Sequence, residues 1–129
     1  MTLPNYVARL ADLLSARQDV VVEDFQLTLT TAGTILQARV RFYDDSVLSV
    51  VEEIEQAGLR IVRRLTYKFH YQHADGILIF RYDDAPHHRH LSSHPHHKHI
   101  GDSVIDAEPP DLADVLREID ALIYPANGA

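Results

Sequence analysis

The chain has 129 residues, a net charge of −7 and an apolar content of 46%, a length and composition that suit one domain over residues 1–129 with its own core. The absence of cysteine excludes disulfides and thiolate metal ligands. No apolar run approaches a membrane span, and the N-terminus lacks the basic start and apolar stretch of a secretory signal, so a cytoplasmic location without membrane contact is expected.

Charge is unevenly distributed. Residues 1–57 carry a net −5, residues 58–100 a net +4 and residues 101–129 a net −6, and all nine histidines fall in the basic middle block. The overall charge argues against non-specific coating of nucleic acid, but a local positive face remains available, because binding follows the local field.

Leu3–Arg17 reads as an amphipathic helix, with Val7, Leu10, Leu13 and Leu14 on one face and Pro4 suited to its first turn. From Val20 the period falls to two: Phe25, Leu27 and Leu29 alternate with Gln26, Thr28 and Thr30, as in a half-buried strand. Ala32-Gly33 is a turn. Ile35–Tyr43 is the next strand, with Leu36, Ala38, Val40 and Phe42 on one side and Arg39 and Arg41 on the other. Asp44-Asp45-Ser46 turns the chain into Val47–Glu55, which its β-branched residues assign to a strand. Ala57-Gly58 is the following turn. Leu59–Tyr71 and Ile77–Tyr82 form a long hairpin about Ala74-Asp75-Gly76. Residues 84–99 have no apolar period and contain Pro86 and Pro95, which predicts a long loop. Val104-Ile105 is a short strand candidate. Asp111–Tyr124 closes the chain as a helix with Leu112, Val115, Leu116, Ile119, Leu122 and Ile123 inward, and Pro125–Ala129 is a frayed tail. These elements predict an α+β fold: an antiparallel meander of five or six strands, both helices packed on one face, the Leu59–Tyr82 hairpin at its centre and a long histidine-rich loop.

Seven histidines lie within thirteen residues: His87, His88, His90, His94, His96, His97 and His99. Taken singly, each has a structural reading as a hydrogen-bond partner of loop carbonyls. Together they admit two kinds of chemistry. Neutral imidazoles bind zinc or nickel, and Asp83 or Asp84 would add a carboxylate, although the spacing matches no defined metal motif. Alternatively, imidazoles act as general acid and base at a phosphodiester, where cations stabilise the developing charge. Arg81, Arg89, Lys98 and the group Arg60, Arg63, Arg64 and Lys68 supply such cations. Arg81 and Asp83 fall on one side of their strand and are expected to pair, or Asp83 to orient a histidine. Tyr67, Phe69, Tyr71, Phe80 and Tyr82 are expected in the core rather than as a base-stacking platform.

The run Leu65–Gln72, followed by Asp75-Gly76 and Leu78–Asp83, resembles the core of the TumE-like toxins of bacterial toxin–antitoxin loci. Those proteins carry a Y-x-x-H-Y-Q hairpin, an R-Y-D-N strand end, a P-H-H pair and a later P-H-H-K-H. Here the motifs fall on Tyr67, His70, Tyr71 and Gln72; on Arg81, Tyr82 and Asp83; on Pro86, His87 and His88; and on Pro95, His96, His97, Lys98 and His99. The chain departs at Asp84, where the family usually has Asn, which puts a role for an Asn side chain in doubt. The resemblance implies a small toxin encoded beside a helix-turn-helix antitoxin. Combined with the residue chemistry, it leads to a ribonuclease-like toxin acting on RNA without a cofactor. His87, His88, His96, His97 and His99 are the acid–base pool, Arg81 and Lys98 the phosphate contacts, Asp83 the orienting carboxylate, and Lys68, His70 and Arg64 the substrate-binding residues. The alternative is a non-catalytic metal-binding or regulatory module that uses the same histidines for zinc or nickel. Both readings are compatible with a homodimer.

Overall fold

The computed structural model describes residues 1–125, so the end of the expected tail, Ala126–Ala129, lies outside the described residues. Helix α1 (Leu3–Ser15) precedes seven strands and helix α2 (Leu112–Ile123) follows them. The strands are β1 (Val20–Leu29), β2 (Thr34–Phe42), β3 (Val47–Gly58), β4 (Ile61–Gln72), β5 (Leu78–Asp83), β6 (His97–Ile100) and β7 (Ser103–Asp106). They form one sheet in chain order, each neighbouring pair antiparallel. This is the expected α+β meander with one strand more, and the long hairpin supplies its central strand, β4.

The period-two pattern determines which face is covered. Leu36, Ala38, Val40 and Phe42 of β2, Leu48 and Val50 of β3, Tyr67, Phe69 and Tyr71 of β4 and Phe80 of β5 are buried together with Leu10 and Leu14 of α1 and Leu112, Val115, Leu116 and Ile119 of α2. Both helices therefore lie on one face. Tyr71 and Phe80 are register partners with ring centroids 5.4 Å apart, and each such buried aromatic stabilises the fold by roughly 1.5–3 kcal/mol. Both helices are capped. Thr2 Oγ1 accepts from the Asn5 amide at the start of α1, and Asp111 and Asp114 form a reciprocal capping box on α2.

Two boundaries differ from expectation. β3 continues through Gly58, which pairs with Ile61, so the chain reverses at Leu59–Arg60 rather than at Ala57-Gly58. The loop expected over 84–99 ends at His96, because His97–Ile100 pairs with β5 on one side and β7 on the other. Its alternation is between histidines and a lysine, so no apolar period announces it.

Candidate functional site

The sheet has a second face that no helix among the described residues covers. Antiparallel pairing aligns Lys68 with Asp83, His70 with Arg81, Asp83 with His97, and Arg81 with His99. Because registered partners share a face, these six side chains form one patch across β4, β5 and β6. The 84–96 loop adds His88, whose ring centroid is 4.8 Å from that of His97 and 5.7 Å from that of His99; His97 and His99 are 4.9 Å apart.

Asp83 is the hub of this patch. It is 6% exposed, and its Oδ1 accepts from the Ala85 amide at 2.9 Å and faces His97 Nε2 at 2.9 Å. Its Oδ2 accepts from Arg81 Nε at 3.1 Å and lies 3.6 Å from His99 Nε2. His97, 2% exposed, has its other nitrogen, Nδ1, 2.9 Å from the Pro95 carbonyl. A carbonyl only accepts, so Nδ1 is the donor to Pro95, and Nε2 is the nitrogen turned to Asp83 Oδ1. His99 differs. Arg81 Nη2 lies 3.2 Å from His99 Nε2, and a guanidinium only donates, so Nε2 presents its lone pair there. Desolvation and then the Arg81 charge hold the His99 imidazole below its ordinary value, against the opposing pull of Asp83. Desolvation, followed by repulsion from His97, His90 and His87, lowers His88 as well. Desolvation also lowers His70, with Arg81 and Lys68 adding to it and the 3.2 Å contact to Gln72 opposing.

Beside the histidines lies a shallow cleft of about 370 Å³ lined by Val51, Thr66, Lys68, Arg81, Asp83 and Asp84. Asp84 Oδ1 accepts from Thr66 Oγ1 at 2.6 Å and from the Tyr67 amide at 3.2 Å. Both bonds need only an acceptor oxygen, so an Asn side chain would make them equally well. The departure from the family's Asn therefore leaves this contact intact.

Of the sequence-predicted site residues, the fold brings together His88, His97, His99, Arg81, Asp83, Lys68 and His70. It does not bring in the others. Lys98 lies between His97 and His99 in β6, so alternation sends it to the helix side, where Nζ donates to Glu118 Oε2 of α2 at 2.6 Å and sits 4.8 Å from the Tyr82 ring. His96 stacks on Tyr67 at 5.8 Å, with Nδ1 2.9 Å from the Tyr67 hydroxyl. Arg64 is also on the helix side. The β3–β4 register shifts between Glu53 and Ile54, which places Arg64 opposite Ile54; its Nη1 donates to the buried Glu52 at 2.9 Å and its guanidinium covers Tyr67. His87 is exposed outside the patch. Thr66 and the Pro95 carbonyl were not singled out from sequence. Thr66 shares a face with Lys68 by period two, a signal that was legible, whereas the Pro95 carbonyl contact depends on the path of the loop.

The family model described as toxin TumE matches residues 10–123. The chain belongs to the TumE toxin family. TumE membership makes it a toxin of the toxin–antitoxin kind, with an antitoxin as the implied partner. No curated protein and no solved structure matches it. No helix among the described residues is long and apolar enough to cross a membrane.

Proposed function

We propose that this TumE toxin acts on RNA at the helix-free face, as a metal-independent ribonuclease of the phosphoryl-transfer type. The observation that carries the reading is the placement of two partly exposed imidazoles, His88 and His99, 5.7 Å apart between ring centroids, with Arg81 against His99 and lining an open cleft that also presents Lys68. Phosphate entering the cleft attracts the Arg81 guanidinium away from His99 Nε2 and frees that lone pair. One imidazole then takes the proton of the ribose 2′-hydroxyl, the oxygen attacks phosphorus, and the bond to the 5′-oxygen breaks. The other imidazole, protonated, returns a proton to that leaving oxygen. Arg81 and Lys68 stabilise the charge that develops on the phosphoryl oxygens. His97 is too buried to meet substrate and serves as a positioning residue, which holds Asp83 and, through it, Arg81. His70, next to Arg81 on β4, lies where the next nucleotide would pass.

The test is cleavage of single-stranded RNA by purified toxin in the presence of chelator, with a DNA strand of the same sequence as control. RNA ends with a 2′,3′-cyclic phosphate, intact DNA, and growth arrest on expression that His99→Ala relieves are expected. Growth arrest without RNA cleavage, or cleavage of both strands alike, would reject a mechanism that needs the 2′-hydroxyl.

A further inference from the structure

We infer that His88, His97 and His99, with Asp83 beside them, form a binding site for one zinc-class cation. The inference goes beyond the ribonuclease reading: a cation held here would occupy the His88 and His99 lone pairs which that chemistry needs, and so would inhibit cleavage. The three imidazoles offer one nitrogen each, all within 4.8 Å of one another. Three histidines are a ligand set suited to Zn²⁺, in the tetrahedral arrangement that leaves a fourth position for water or a carboxylate, whereas Mg²⁺ and Ca²⁺ prefer all-oxygen sites.

His97 carries the detail that separates a built site from a loose histidine tract. Its Nδ1 is held by the Pro95 carbonyl at 2.9 Å, the contact that orients a ligating histidine and directs Nε2 at the metal. That Nε2 lies 2.9 Å from Asp83 Oδ1, so a carboxylate oxygen stands beside the ligating nitrogen. The ring belongs to a paired strand and is 2% exposed, so it is already fixed in place before a metal arrives. His99 lies two residues on, on the same face of β6, and His88 closes the cluster from the loop.

One neighbour opposes the metal. Arg81 Nη2 lies 3.2 Å from His99 Nε2 and already supplies positive charge at this spot. The geometry therefore makes an unusual demand: removing a cationic side chain, Arg81→Ala, tightens zinc binding, because the repelling charge and the competing donor both go. Nonspecific uptake by exposed histidines would show no such sensitivity.

The experiment is calorimetric titration of untagged full-length protein with Zn²⁺, read alongside the melting temperature. One ion per chain and a raised melting temperature are expected. His88→Ala and His99→Ala, both at partly exposed positions, should weaken binding by about 10–100-fold. His73→Ala and His87→Ala, outside the cluster, should leave it unchanged, and Arg81→Ala should tighten it. His97→Ala is a secondary variant, since the buried position risks the fold. Absence of saturable uptake, uptake of several ions insensitive to His88→Ala and His99→Ala, or Arg81→Ala weakening the binding would overturn the site. Cleavage of RNA plays no part in the readout, so loss of the ribonuclease reading leaves this result standing.

Discussion

At the residue scale, the patch contains two kinds of histidine. His97 is locked between Pro95 and Asp83 and nearly inaccessible, while His88 and His99 remain reachable. Asp83 accepts from the Ala85 amide and from Arg81 and faces the buried His97, and leaving such donors without an acceptor typically costs about 1–3 kcal/mol. Asp83→Ala should therefore lower unfolding free energy in denaturant titration by about that much, as well as releasing Arg81. His99→Ala should leave the denaturation midpoint nearly unchanged yet reduce RNA cleavage by about 10²–10⁴-fold, the usual contribution of one general acid or base. A His99→Ala protein that melts like Asp83→Ala, or that cleaves like the parent, would place His99 among the structural histidines.

At the element scale, α2 is clamped to the sheet by Glu118, which accepts from Tyr82 Oη and from Lys98 Nζ, both at 2.6 Å. Desolvation pulls the Lys98 ammonium down, but its bonds to Glu118 and Tyr82 outweigh that and hold it above its ordinary value. Lys98→Met should thus destabilise the protein by about 1–3 kcal/mol, because Glu118 loses its cationic partner and keeps only the Tyr82 hydroxyl, while RNA cleavage below the melting point persists. Full stability with lost cleavage would instead mean that Lys98 reaches phosphate. The β1–β2 turn makes a second demand on its element. A Cβ on Gly33 would lie 2.2 Å from the Ile54 carbonyl oxygen, a backbone atom with little freedom to move. Gly33→Ala should cost about 1–3 kcal/mol by thermal melting, as overpacking does.

At the scale of the whole molecule, the end of α1, the start of β1 and the last turns of α2 meet in one ionic knot. Arg17 donates to Asp19 and to Asp120, and Tyr124 Oη donates to Asp19 at 2.8 Å. The Arg17 bond holds the Asp19 carboxyl below its ordinary value of 3.8 against desolvation, the next largest influence, and the Tyr124 bond adds to the lowering. A depressed folded value means that Asp19 contributes stability fully above its unfolded value and loses it as pH falls through the folded one. Stability should fall with acid below about pH 4, and Asp19→Asn should flatten that decline in unfolding titrations at several pH values. The same scale governs the partner. An antitoxin that silences this surface has to cover Lys68, Arg81 and the histidines, so its contacting face is expected to be acidic. Its affinity should fall as salt rises and should drop again on Lys68→Glu, measured by calorimetry. Insensitivity to both would place the antitoxin elsewhere on the toxin.

How far composition and pattern alone reach can be read from particular elements. The inward run Leu36, Ala38, Val40 and Phe42, the helix stripes and the Ala74-Asp75-Gly76 turn are local signals of hydrophobic period and backbone geometry, and they specify both the meander and the face on which the helices pack. The chemistry-bearing residue types and the family were equally legible, because both reside in residue identity. Strand β6 was not, since His97-Lys98-His99 alternates without any apolar member for a hydropathy pattern to detect. Which histidines meet was decided by register between strands distant in sequence: Asp83 opposite His97 and Arg81 opposite His99 gather one cluster, and the same alternation sends Lys98 to the far face. Arg64 was displaced by a single register shift in β4. A side-chain period of two makes the face of every polar residue depend on pairing and bulges, which long-range hydrogen bonding sets and adjacent residues do not encode.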